Sequence, residues 1–191
     1  MTFSKYQVIL ADPPWKYNSR ANHKTRFRGG ACGHYDLMTT GDICNLPIQE
    51  LADPNGSILF LWATFPMLKD ALEVIKAWGF TYKTVGFTWC KLNPKSLTPF
   101  FGVGFYTKSN AEVCLIATRG SVLKPAVNTV SSLILSPRRE HSRKPDEQYE
   151  RIEAMYPNAT KVELFARHKR VGWDAWGNQI QSDIELNHGQ A

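Results

Sequence analysis

Residues 57–63 read SILFLWA and residues 111–118 read AEVCLIAT. Runs this apolar and this short have no polar face to turn to water, so as strands they must be covered on both sides. That requirement predicts a layered α/β arrangement with helices flanking the sheet. Further strand signals lie at YQVILA (6–11), YKTVGFTW (82–89) and TKVELFA (160–166). Between them, FPMLKDALEVIKAWG repeats Leu68, Leu72, Val74, Ile75 and Trp78 at helical spacing and stops at Gly79. SRKPDEQYERIEAMYP puts Pro145 and two acids in a first turn and ends before Pro157. Strands alternating with helices predict a mostly parallel, doubly wound sheet. A chain of 191 residues is expected to form one domain over 1–191.

Three stretches, 16–36, 91–108 and 119–143, fit no regular element, and long irregular segments in a compact domain usually carry function. Cations gather in two of them. KYNSRANHKTRFR holds Lys16, Arg20, Lys24, Arg26 and Arg28 without an acid, and Arg119 to Lys144 adds Arg138, Arg139 and Arg143 against Glu140 alone. With a net charge of +6, this distribution predicts a polyanionic partner, the plainer alternative being two solvated loops. Cys32 and His34 lack a second ligand pair at zinc-site spacing, so no metal is expected. Neither a signal-peptide run nor a membrane span is present, which predicts a cytoplasmic protein without a membrane partner.

The stretch VILADPPWKY (8–17) ends a strand on an acid, two prolines and a tryptophan. In an open α/β sheet, ligands bind beyond the carboxyl ends of strands, so Asp12 is expected at that edge. Consecutive prolines hold the turn extended and supply no N–H. The Asp12 carboxylate and the Pro13 carbonyl are therefore expected to face outward as fixed acceptors, because no proline N–H competes for local bonding. Two rigid acceptors beside the rings of Trp15 or Tyr17 suit a planar substrate bearing an NH2 group, such as a nucleobase. The alternative is a capping Asp and a core Trp around a structural turn.

DPPW resembles the catalytic motif of amino-methylating methyltransferases. In order, GVGFYTKSNAEVCLIATRG (102–120), HSRKPDEQYERIEAMYP (141–157), KVELFAR (161–167) and GWDAWGNQI (172–180) resemble the MT-A70 family, over about residues 6–180. That family includes the catalytic subunit of the eukaryotic mRNA adenosine methyltransferase and compact bacterial and phage DNA adenine methyltransferases. The resemblance implies a Rossmann-like methyltransferase fold of permuted order, with the catalytic motif N-terminal and the cofactor motif C-terminal. It implies S-adenosyl-L-methionine as cofactor and transfer of its methyl group to the N6 amino group of adenine. Asp12, Pro13, Pro14 and Trp15 would be catalytic. Asp12, Lys144, Phe165, Arg167, Asn178 and Gln179 would hold the cofactor, with Lys144 on its methionine carboxylate. Substrate contacts are expected from Trp15, Lys16, Tyr17, Arg20, Lys24, Arg26, Arg28, Tyr106 and Lys108. Glu112 matches a family acid and is expected as an internal salt-bridge partner. Compactness favours DNA as substrate, with RNA the nearest rival and a catalytically silent nucleic-acid-binding subunit a third reading. A homodimer would widen the grip of so small a chain on a duplex.

Overall fold

The computed structural model describes residues 5–17, 37–104, 106–140 and 143–186. Seven strands, β1 (Val8–Ala11), β2 (Gly56–Ala63), β3 (Thr81–Leu92), β4 (Ala111–Gly120), β5 (Leu133–Pro137), β6 (Lys161–Leu164) and β7 (Asp174–Trp176), form one sheet. Their order is β5-β3-β4-β2-β1-β6-β7. β1 runs parallel to β2 and β6, β6 to β7, and β3 to β5. β4 is antiparallel to both its neighbours. The sheet is mixed but mostly parallel, an α/β Rossmann-like arrangement.

Both faces are covered, as the continuous apolar runs require. Along β1, Ile9 and Ala11 join Leu59, Leu61, Val162 and Leu164 in one core, while Val8 and Leu10 join Ile58, Phe60 and Trp62 in another. Helices α1 (Thr40–Cys44), α2 (Ile48–Leu51) and α3 (Leu68–Ala77) bury Ile43, Ile48, Val74 and Ile75 in the first core. Helix α4 (Glu147–Met155) buries Ile152 in the second. The buried stripe of α3 is Ala71, Val74 and Ile75; Leu68 and Leu72 remain substantially exposed.

The structure adds elements that the sequence reading left irregular. β5 lies inside the segment 119–143 and is half-wet, with Leu133 and Leu135 exposed and Ile134 and Ser136 buried. β3 extends to Leu92, so the irregular part of 91–108 begins at residue 93. β7 has only three residues, and α1 and α2 have five and four. Elements this short carry too little periodicity to stand out in a sequence.

Pairing registers gather one edge of the sheet. Ala11 lies beside Leu61 and Leu164, and Ala63 beside Val113. Cys90 lies beside Ala111, Leu92 beside Pro137, and Leu164 beside Trp176. The carboxyl ends of six strands and the amino end of antiparallel β4 therefore converge. The opposite edge holds Gly56 beside Gly120, so Arg119, bonded to the Gln49 carbonyl at 2.7 Å, stands away from that convergence. The basic segment 119–143 is thus divided between two edges.

Beyond β7 the chain passes so close to the end of β6 that a Cβ on Gly177 would lie 2.1 Å from the Ala166 carbonyl oxygen. The obstacle is backbone and cannot rotate away. Gly177→Ala is expected to cost about 1–3 kcal/mol, read as a lower urea midpoint.

Candidate active site

The turn after β1 is held from several sides. Trp15 donates its backbone N–H to the Pro13 carbonyl at 2.9 Å, while Met38 N–H reaches the Pro14 carbonyl at 2.9 Å and Lys16 N–H reaches the Met38 carbonyl at 3.0 Å. Trp15 donates its indole N–H to the Trp62 carbonyl at 3.1 Å and is only 7% exposed. Two features of the turn emerge here. The Pro13 carbonyl is not free of local bonding, because a three-residue turn occupies one of its lone pairs. Trp15 is mainly a core residue; the exposed ring of the motif belongs to Tyr17, whose hydroxyl lies 2.7 Å from Thr64 Oγ1.

Asp12 projects from the edge into a chain of alternating charge. Lys144 Nζ lies 2.7 Å from both Asp12 carboxylate oxygens and 3.2 Å from Glu112 Oε2. Glu112 in turn pairs with Lys91 through its other oxygen. Lys144 also lies 5.6 Å from the Trp62 ring, a cation–π contact. Trp62 donates its indole N–H to Gln148 in α4 at 2.6 Å, which ties the floor to the helix that follows Lys144. The backbone at Lys144 is clamped by Arg139, which donates to its carbonyl at 2.9 Å and also bonds Asp146.

Burial works against every charge in this chain, and the balance differs by position. It raises the Asp12 pKa, with Glu112 adding to the effect and Lys144 opposing it. For Glu112, the attraction of Lys144 and Lys91 outweighs burial and lowers the pKa. For Lys144, Asp12 and Glu112 together outweigh burial and raise it, so the ammonium stays charged. The three N–H donors of this ammonium are met by the two Asp12 oxygens and one Glu112 oxygen, so an incoming anion would have to share them.

These groups border a cavity of about 740 Å³. On the β6–β7 side it is lined by Phe165, Arg167, Asn178 and Gln179; on the β3–β5 side by Lys91, Phe100, Gly102 and Arg138. Asp12, Glu112 and Lys144 stand between. Phe165 adopts φ +62, a left-handed conformation that costs a non-glycine residue about 1–2 kcal/mol. Its ring meets Trp176 edge to face at 5.3 Å.

Asp12, Pro13, Pro14, Trp15, Tyr17, Lys144, Phe165, Arg167, Asn178 and Gln179, dispersed in sequence, thus share one cavity. Lys16, Tyr106 and Lys108 are exposed and do not line it. Arg20, Lys24, Arg26 and Arg28 lie outside the described residues. The sequence reading missed Lys91, Gln148 and Glu163; only their positions near strand ends or helix starts signalled them. Among the described residues no cluster suits a metal ion, and Cys44, Cys90 and Cys114 are free thiols. No described helix is long and apolar enough to cross a membrane.

Glu163 lines a smaller recess of about 210 Å³ behind Asp12. Burial pushes its pKa up to about 7, although the Tyr149 hydroxyl donates to it at 2.9 Å. The unfolded chain releases this proton near pH 4.5 and the folded chain near 7, so stability falls as pH rises between those values. At pH 8 the penalty reaches up to about 3 kcal/mol. Glu163→Gln keeps an acceptor for Tyr149 and removes the penalty. Urea titrations are expected to show the variant more stable than the parent at pH 8 and nearly equal to it at pH 4.

Residues 6–179 match the MT-A70 family. The chain is 33% identical over 199 residues to the type II methyltransferase M.MunI of Mycoplasma sp, covering 95% of this chain and 81% of that protein. It is 33% identical over 191 residues to a putative N(6)-adenosine-methyltransferase MT-A70-like protein of Medicago truncatula, covering 97% and 28% respectively. It is 28% identical over 179 residues to the N(6)-adenosine-methyltransferase catalytic subunit METTL3 of Homo sapiens, covering 92% and 28%. The chain therefore spans most of the mycoplasmal relative and little more than a quarter of the other two. From the acidic turn at the end of β1 to the loop beyond β7, the chain belongs to the MT-A70 family of methyltransferases.

Proposed function

We propose that this chain transfers a methyl group from S-adenosyl-L-methionine to the N6 amino group of adenine in DNA. The observation that carries the reading is the part-buried Asp12–Lys144–Glu112–Lys91 chain at the centre of a cavity sized for a small-molecule ligand. An α-amino-acid group needs a cation for its carboxylate and an acceptor for its ammonium; Lys144 and Asp12 supply both. Asn178, Gln179 and Arg167 offer hydrogen bonds suited to a ribose and base, beside the apolar ring of Phe165. These residues fit the cofactor, which when bound supplies an electrophilic methyl group on a positively charged sulfur.

The acceptor nitrogen of adenine is a poor nucleophile because its lone pair is delocalised into the ring. Each Asp12 oxygen keeps acceptor capacity beyond its bond to Lys144, and the Pro13 carbonyl keeps a second lone pair. These oxygens accept the two amino hydrogens, favour a pyramidal nitrogen and aim its lone pair at the methyl carbon. No prior deprotonation is needed. As positive charge grows on the nitrogen, the Asp12 carboxylate stabilises it. The extra proton on the methylated nitrogen then passes to the Asp12 carboxylate or to water. Lys144 fixes both Asp12 oxygens, so the acceptors are oriented before substrate arrives.

DNA is favoured because the likeness runs along most of a type II methyltransferase, whereas the adenosine methyltransferases share only about a quarter of their length with this chain. A basic surface around the cavity supports a polyanionic substrate, with Lys16 and Arg138 exposed near it. Arg139 and Arg143 are already paired with Asp146 and Glu140, so their first role is to hold the Lys144 loop.

Incubation with tritiated cofactor and unmethylated DNA, followed by nucleoside analysis, is expected to give N6-methyldeoxyadenosine; label found only in RNA controls would overturn the DNA assignment. Asp12→Asn is expected to lower the transfer rate at least about a hundredfold, with cofactor binding still measurable by calorimetry. A near-parental rate in that variant would refute the mechanism.

A further inference from the structure

The outer wall of the cavity on the β3–β5 side is built by the chain between β3 and β4, which folds back on itself. Asn93 N–H bonds the Thr98 carbonyl at 2.8 Å, Phe100 N–H the Lys91 carbonyl at 2.7 Å, and Gly102 N–H the Ser109 carbonyl at 2.7 Å. Leu92 and Pro99 form a further antiparallel bridge. The Arg138 guanidinium lies over the Phe100 ring at 3.5 Å, pressing the base of this loop onto the end of β5. Phe100 and Gly102 line the cavity. Phe101 stands between them, does not line the cavity, and is 68% exposed.

A single exposed aromatic is ordinary on a protein surface. Here the backbone on both sides of Phe101 is hydrogen-bonded, so the chain that carries its ring is held in place at the rim. Phe100 faces the cavity and Phe101 stands outside it, at the solvent side of the rim. Arg138, exposed at the same lip, supplies a cation with several N–H donors for a phosphate. Val103, 81% exposed, continues the apolar edge.

A base inside a duplex must leave the stack to reach a recessed carboxylate, and its departure leaves a gap between two apolar base faces. An apolar side chain entering that gap offsets part of the lost stacking. We propose that Phe101 is a duplex wedge: it enters the base stack beside the target adenine as that base moves into the cavity, while Arg138 holds the adjoining backbone. The proposal rests on the DNA reading above and assigns Phe101 a role in opening the duplex rather than in methyl transfer.

The test compares initial rates of tritiated methyl transfer to one unmethylated plasmid, native and heat-denatured. Phe101→Ala is expected to lower the rate on native plasmid at least tenfold and on denatured plasmid less than twofold. Phe101→Leu, which keeps apolar bulk, is expected to stay within threefold of the parent on both. Equal losses on the two forms would mark Phe101 as merely structural and overturn the wedge, as would an unchanged rate on native plasmid. A parent protein that methylates only denatured plasmid also overturns it and leaves the DNA reading standing. Methylation of RNA but of neither plasmid form would instead remove the DNA reading itself.

Discussion

Lys144 carries its charge inside the protein because two carboxylates lie within reach of it, and both faces of the active site are organised around that ammonium. Asp12 arrives from the end of β1 and Glu112 from the start of β4, with Lys91 at the end of β3 completing the alternation. The bond between Lys144 and Asp12 closes a sequence separation of 132 residues. Buried ion pairs give back little net stability, since desolvation consumes most of the attraction. Their value here is geometric. Asp12 is fixed at two oxygens, and any loss of Lys144 would remove its ion-pair partner and leave Glu112 with Lys91 alone.

The surrounding structure serves that placement. Trp62 accepts the Trp15 indole N–H at its carbonyl, donates its own to Gln148, and lies under the Lys144 ammonium. One residue thereby connects the acidic turn, the central strand and the helix after the lysine. Arg139 fastens the lysine loop from outside through Asp146 and the Lys144 carbonyl. At the other side, Phe165 accepts a left-handed backbone at the end of β6, and Gly177 permits the β7 loop to pass against Ala166. Strain and close approach collect where the chain must present side chains to a ligand.

Much of the fold was legible because burial on both faces imposes long apolar runs. SILFLWA and AEVCLIAT announced β2 and β4, and the helical spacing around Val74 and Ile75 announced α3. β5 and β7 were hidden: one is a half-exposed strand at the sheet's edge, and the other has three residues. In the site, Asp12 was legible from its place after a strand and before two prolines. Lys144, Asn178 and Gln179 were legible only through the family resemblance, since nothing local distinguishes them from surface polar residues. Lys91 was not, because an ordinary lysine at a strand end acquires meaning only when Glu112 stands opposite. Between the two aromatic candidates only tertiary packing distinguishes: Trp15 goes inward to Trp62, while Tyr17 remains at the surface.

The sequence by itself determined the layered α/β class and the stiff acidic turn, because covalent geometry and apolar patterning act over a few residues. Only the tertiary structure decided which lysine faces that acid, which carbonyl lone pairs are already occupied, and that antiparallel β4 delivers Glu112 to the same edge. Those outcomes depend on strand register between segments far apart in the chain, where a shift of one residue would turn each of these side chains to the other face of the sheet.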